Sequence, residues 1–212
     1  SENMDWYSGL TLMAMLETTQ VYSDKNFEDF RFPVQFVNRP NLDFRGYCGT
    51  IASGVVRPGD ELIILPSHKR SRVKKIITYD GECEAAFTDE AITIVLEDEV
   101  DISRGDMLVK SDSIPMQGNQ FLADIIWLAE VALCLKKEYY IKLTTKTTTG
   151  IVSHINYEID LETLDHKMSA QFDLNSIGNA TVILNENVPL DNYKDNSKTG
   201  VFIIIDRLSN NT

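Results

Sequence analysis

The stretch PVQFVNRPNLDFRGYCGTIASG, Pro33 to Gly54, decides how this chain is read. It sets turn formers and charges, VNRPNLDF, in the middle of an apolar pattern, and it carries Gly46, Gly49 and Gly54 close together. A catalytic loop, a ligand-holding loop or a strand interrupted by an excursion would each look like this. The glycines do not match G-x-G-x-x-G; they suit bends or bulges in a curved strand, where a side chain would strike neighbouring backbone. Working outward, the apolar runs PVQFV, GYCGTIASGVV, ELIILP, RVKKIITY, AITIVLE and DMLVKS are short and separated by turn signals. In PGDEL, Pro58 fixes the first φ of the turn, Gly59 permits a positive φ, and Asp60 leads into the next strand. The pattern from about Phe32 to Asp112 is that of an all-β barrel or sandwich.

A polar Pro- and Gly-containing segment, SDSIPMQGN (Ser111 to Asn119), reads as a linker. After it come FLADIIWLA, YYIKLTTKTTTGIVSHINYEI, MSAQFDL, ATVILNENV and GVFIIIDRL, a second set of strands. The run Phe121 to Lys137 would also suit a helix by its Ala and Leu content, but its alternating start favours a strand. Near the N-terminus, Leu10, Met13, Ala14 and Leu16 fall at helical spacing, with Ser8 as the expected N-cap of a helix over Ser8 to Thr19. The expected division is therefore 1–26 as helix and linker, 27–112 as one β-domain and 113–212 as another.

With 20 basic against 32 acidic residues the net charge is -12, which opposes binding to a phosphate backbone. Nucleic acid is thus a poor partner. Cys48, Cys83 and Cys134 are odd in number and widely spaced, which suits reduced thiols rather than a disulfide framework or zinc site. The longest apolar run, Phe121 to Leu135, contains Asp124 and Glu130 and is shorter than the roughly 20 residues a membrane helix needs. No signal peptide is visible at the N-terminus, so the expected setting is cytoplasmic, without a membrane partner.

His68, His154 and His166 share no metal-binding spacing, and no nucleophile elbow occurs. Asp43-Phe44-Arg45-Gly46 imitates D-x-x-G and Asn192-Tyr193-Lys194-Asp195 a scrambled N-K-x-D, but without a phosphate-cradling P-loop both read as chance. The basic run HKRSRVKK, His68 to Lys75, reads as a solvated hairpin, and EDEVD, Glu97 to Asp101, as a solvated turn or a face for a basic partner.

With these elements placed, RGYCGTIASGVVRPGDELIILP, Arg45 to Pro66, resembles the second-domain barrel of translation-factor GTPases of the elongation factor Tu type. Phe32 to Asp60, with SRVKKI, AITIVLEDEVDISRGDML and the late IDRLSNNT, is similar more narrowly to the large, GTP-binding subunit of bacterial ATP sulfurylase. That resemblance implies two consecutive barrels of the elongation factor Tu domain 2 and domain 3 type, preceded by a short helix that ends a GTPase domain. It implies that GTP and magnesium are held by that GTPase domain, expected before Ser1, with no cofactor, metal or catalytic residue in residues 1–212. It implies two partners, the parent's own GTPase domain and a catalytic small subunit that forms adenylylsulfate and pyrophosphate from ATP and sulfate. The other reading is a tRNA-binding barrel module of an elongation factor, which the negative charge opposes. Within the family pattern, Asn38, Arg39, Pro40, Asn41, Asp43 and Arg45 are expected to form a surface loop making an interdomain or intersubunit contact.

Overall fold

The computed structural model describes residues 6–19, 25–41 and 44–212. Among these there is one helix, α1 (Leu12–Thr18), and the rest of the regular structure is strand. The helix begins later than the apolar spacing suggests, because Thr11 rather than Ser8 is the cap: the Thr11 hydroxyl accepts from the Ala14 amide at 3.2 Å. None of its residues is buried, so its apolar side chains gain nothing from tertiary packing here.

The first unit contains β1 (Arg31–Asn41), β2 (Phe44–Thr50), β3 (Val55–Val56), β4 (Glu61–Leu65), β5 (Lys69–Thr78), β6 (Gly81–Cys83), β7 (Ala86–Phe87), β8 (Ala91–Leu96) and β9 (Met107–Lys110). The order β4-β9-β1-β2-β8-β5, with β5 pairing back onto β4, closes an antiparallel ring, so these six strands form a barrel without a free edge. Inside it, Phe30, Phe32, Val34, Tyr47, Ile51, Leu62, Ile64, Ile76, Ile94 and Leu108 are buried in one cluster. The pleat explains the alternation: Leu62 and Ile64 point in, as do Phe32 and Val34.

The second unit contains β10 (Met116–Ile126), β11 (Glu138–Leu143), β12 (Lys146–Ile159), β13 (His166–Lys167), β14 (Ile177–Leu190) and β15 (Phe202–Ile205). Its strands lie in the order β10-β14-β12-β11-β15, with β13 folded against β12, and they curl around Ile141, Val152, Phe172, Ala180, Val182 and Leu184. Trp127 stands edge-on to Tyr139 at 6.2 Å in the same core.

Three expectations change at this level. Strand β10 starts at Met116, so the MQGN half of the expected linker is strand and 111–115 alone connects the units. The run from Phe121 is strand, as its alternation says, but only to Ile126; beyond it the chain turns, and Trp127 caps the core. The surface loop expected at Asn38, Arg39, Pro40, Asn41 and Arg45 is instead an extended β-hairpin. Asn38 pairs with Gly46 and Asn41 with Phe44, and the register shift between these pairs falls where Pro40 lacks an amide to donate. Leu42 and Asp43 lie outside the described residues.

Candidate functional site

The hairpin of β1 and β2 presents its tip to solvent: Arg39, Pro40 and Asn41 are exposed, and Phe36 is exposed on the same strand. Its base is tied down. Arg45 is half-buried and donates through Nη1 to the Val100 carbonyl at 3.2 Å, which also accepts from the Tyr47 hydroxyl at 2.7 Å. Burial pushes the Tyr47 hydroxyl above its ordinary range, and the hydrogen bond to Arg45 offsets only part of that. Of the six residues expected to make one contact surface, Arg39, Pro40 and Asn41 lie at the solvent-facing tip. Arg45 belongs to the barrel wall, Asn38 is half-buried, and Asp43 lies outside the described residues.

The glycines that bend this wall have steric reasons to be glycine. A Cβ on Gly46 would fall 2.4 Å from the Thr93 methyl, and one on Gly49 would fall 2.6 Å from the Pro33 carbonyl oxygen. Gly54 has φ +80° and its added Cβ would meet Phe30 Cα at 2.5 Å, so both conformation and space exclude a side chain. In the turn after Pro58, Gly59 has φ +90° with open space beside it, and Asp60 accepts from the Arg57 amide at 2.9 Å while pairing with Lys110 at 2.8 Å.

The contact between the two units was not legible in the sequence. Ile63, Leu65, Met107 and Val109 alternate with inward residues and so point out of the first barrel, yet they form a second buried cluster. That outer face is buried too, and contacts with the second unit lie beside it at Gly105 and Arg31. Lys146, at the start of β12, lies against Gly105, where an added Cβ would come 3.1 Å from its Cδ. Beside the apolar strip, Arg31 in β1 is 4% exposed and forms a two-pronged ion pair with Asp191, just past β14, at 2.9 and 3.0 Å. The remaining Arg31 nitrogen donates to the carbonyls of Ser113 at 2.5 Å and Phe30 at 3.0 Å, and Thr199 donates its hydroxyl to Asp191 at 2.6 Å.

The loop between β14 and β15 extends this clasp. Asn196 donates to the Ser53 hydroxyl at 2.7 Å, and Asn26 donates to the Asp195 carbonyl at 3.2 Å. Lys198 and Lys25 share the carboxylate of Asp89, and burial, then repulsion from Lys25, lowers the Lys198 pKa. Asn192-Tyr193-Lys194-Asp195, the fragment resembling a guanine-specificity motif, lies in this loop as a turn: the Asn192 carbonyl accepts from the Asp195 and Asn196 amides at 3.0 and 2.9 Å. Of the other imitation, Phe44, Arg45 and Gly46 are strand residues in β2.

Among the described residues no group of three or more His, Cys, Asp or Glu side chains is placed to hold a metal, and no helix is long and apolar enough to cross a membrane. His166 stacks on Tyr157 at 3.8 Å, a packing role on β13. The geometry offers an exposed hairpin tip and a hydrogen-bonded joint between the units, which suit holding and positioning.

Residues 120–212 match the family described as GTP-eEF1A C-terminal domain-like. Two solved structures share the arrangement of both units. Sup35 complexed with GDP matches with a TM-score of 0.80 at 16% identity, covering 97% of this chain and 51% of that one. A bacterial selenocysteine-specific elongation factor, EF-Sec, matches with a TM-score of 0.64 at 21% identity, covering 94% of this chain and 29% of that one. At such identities the likeness is one of fold, and it defines the class: the paired β-barrels of elongation-factor-type proteins. Sequence narrows this much further. The sulfate adenylyltransferase subunit 1 of Alteromonas mediterranea is 50% identical over 212 residues, which is 100% of this chain and 45% of that protein. The chain is thus similar along its whole length to sulfate adenylyltransferase subunit 1 proteins and spans less than half the length of those relatives.

Proposed function

We propose that residues 1–212 are the paired-barrel part of the GTP-dependent subunit of a sulfate adenylyltransferase, and that they hold the catalytic small subunit and couple it to the state of a GTPase domain. The observation that carries this reading is the 50% identity across all 212 residues to a protein named as subunit 1 of that enzyme. The reaction served is ATP plus sulfate to adenylylsulfate plus pyrophosphate, in the cytoplasm. The barrels perform no bond chemistry; GTP and magnesium belong to the GTPase domain of the parent protein. The clasp centred on Arg31 supports the coupling role, because a joint with a buried ion pair transmits a rigid-body movement from one unit to the next.

The docking surface proposed is the exposed tip of the hairpin, Arg39, Pro40 and Asn41, with Phe36 beside it. The test is equilibrium binding of the chain to the catalytic small subunit, with Arg39→Glu as the variant, since Arg39 is exposed whereas Arg45 supports the barrel. The expected result is binding by the parent chain and at least about tenfold weaker binding by the variant, a loss of roughly 1.4 kcal/mol. Equal affinities would remove the hairpin from the interface; micromolar binding of GTP by residues 1–212 would overturn the non-catalytic assignment. Retention of tRNA in a salt-sensitive gel shift would favour the elongation-factor reading instead.

A further inference from the structure

The basic run His68 to Lys75 folds into the turn before β5 and the first part of that strand. Ser71, Val73 and Ile76 are buried, while Lys69, Arg70, Arg72 and Lys74 are exposed. The pleat, with a register shift between Val73 and Lys75, puts these cations on the outside of the barrel. With half-buried Lys75, five of the chain's 20 Lys and Arg lie within seven residues, which makes this face strongly cationic in a chain of net charge -12. Strand β5 lies between β4 and β8 in a closed ring, so the cations guard no open edge.

Their partners inside the chain are too few. Arg70 pairs with Glu61 at 3.0 Å and Lys75 with Glu82 at 2.6 Å. Glu61 stands opposite Arg72 in the ladder, yet its carboxylate is taken by Arg70. Asp98 accepts from the Ser71 hydroxyl at 2.8 Å instead. Among the described residues, Lys69, Arg72 and Lys74 form no ion pair.

The unmatched cations lie at the same end of the barrel as the β1–β2 hairpin tip. Tyr47, Ile94 and Ile76 occupy one row across β2, β8 and β5, and both outer strands run antiparallel to β8. Followed backwards from that row, β2 leads to the Asn41–Phe44 pair and β5 leads past Val73 to Arg72 and Lys69. Exposed Arg39 at the tip adds a further cation to this end. Alternate strand residues stand about 7 Å apart, so Arg70, Arg72 and Lys74 match carboxylates at alternate positions of an extended acidic segment. A nucleic acid also offers closely spaced anions, but its charge continues in both directions. It would meet Glu61 and Glu82 on the strands beside β5 and the acidic stretch Glu97 to Asp101 next to Ser71. A short acidic protein segment ends before it reaches them.

We propose that the outer face of β5, with Lys69, Arg72 and Lys74 as its unmatched charges, extends the hairpin-tip docking surface and takes a short acidic segment of the catalytic small subunit. This rests on the assignment of that subunit as the partner. Complementary charge of this kind speeds encounter and selects the partner, and its contribution fades as salt screens it.

The test is equilibrium binding of the chain to the small subunit at about 50 mM and about 500 mM salt. A Glu at position 72 would face Glu61 across the ladder, so the variant is Arg72→Gln/Lys74→Gln. It is expected to bind at least about tenfold more weakly than the parent at low salt, with the gap closing to about twofold or less at high salt. Lys194→Glu, which changes the net charge by the same amount at an exposed site in the second unit, is expected to stay within about twofold of the parent. If the double variant does not fold, Lys74→Gln alone is read in the same way, with a loss of at least about threefold expected at low salt. Unchanged affinity in these variants overturns the proposal, as does an equal loss in Lys194→Glu, since net charge alone would then be at work. Retention of single-stranded RNA by the parent and not by the double variant overturns it in favour of nucleic acid. A parent chain that does not bind the small subunit at either salt overturns the partner assignment itself, and the proposal with it.

Discussion

Replacing Asp191 by Leu removes one side of the buried pair that joins the two barrels. Arg31 would keep its bonds to the Ser113 and Phe30 carbonyls, but its charge, 4% exposed, would lose the carboxylate that neutralises it. Asp191 has a side chain 11% exposed, so the pair belongs with buried rather than surface ion pairs. Breaking such a pair from one side costs about 3–5 kcal/mol, and the Thr199 hydroxyl loses its acceptor for about 1 kcal/mol more. Against a total stability of about 5–15 kcal/mol, this is a large fraction. Arg31→Met should cost a similar amount, because it strands Asp191. The double variant Arg31→Met/Asp191→Leu buries no charge and should lie within about 2 kcal/mol of the parent. The assay is urea unfolding in a Trp6→Phe background, where Trp127, buried in the second core, is the single tryptophan, together with calorimetry to see whether the units separate into two transitions. Single variants within about 1 kcal/mol of the parent, or additive effects in the double, would refute the reasoning, because the pair would then behave as a surface contact.

Three other outcomes follow from the geometry. Gly54→Ala should destabilise by at least about 2 kcal/mol, since its Cβ meets Phe30 backbone, whereas Gly59→Ala, with the same sign of φ but open space, should cost nearer 1 kcal/mol; thermal unfolding ranks them. Arg39→Glu should leave stability within about 0.5 kcal/mol, while Arg45→Glu should lower it by about 1–3 kcal/mol through the lost bond to Val100 and the half-buried charge. Asp206 has its pKa lowered, first by the Lys137 hydrogen bond and then by the Ser209 and Leu208 amides. Because the folded value lies below the unfolded one of about 3.9, its contribution is present above that pH and fades as the pH falls below it. Asp206→Asn should therefore flatten the acid limb of a stability-against-pH profile, and a variant with an unchanged limb would contradict this.

Much of the fold could be read from the chain because the signals are local. Short apolar runs between turn signals found β4, β5 and β8, alternation found the start of β10, and Pro58 with Gly59 marked a turn by φ preference alone. The hairpin tip was misread because Pro40 and the Asn residues are common turn formers, while a bulged ladder tolerates them at an edge-like position. The cap lies one turn later than expected, at Thr11 instead of Ser8, because Ser and Thr both cap helices and residue type alone does not separate two such positions. The clasp was invisible for another reason: Arg31 and Asp191 lie 160 residues apart, and each looks like an ordinary surface charge until the fold buries it. The outward row Ile63, Leu65, Met107 and Val109 did leave a trace, since ELIIL is apolar at consecutive rather than alternate positions, the mark of a strand covered on both faces.

That doubly covered row bears on how such barrels can be rearranged by gene fusion or truncation. Residues 111–115 look like a seam at which the chain could be cut and each half moved to a new host. The joint beside that row makes the cut costly for the first half alone: released from its neighbour, it would carry an unmatched Arg31 next to Val109 and a Ser53 hydroxyl without Asn196. The heritable module is the pair, and the unit of folding is longer than the unit of topology.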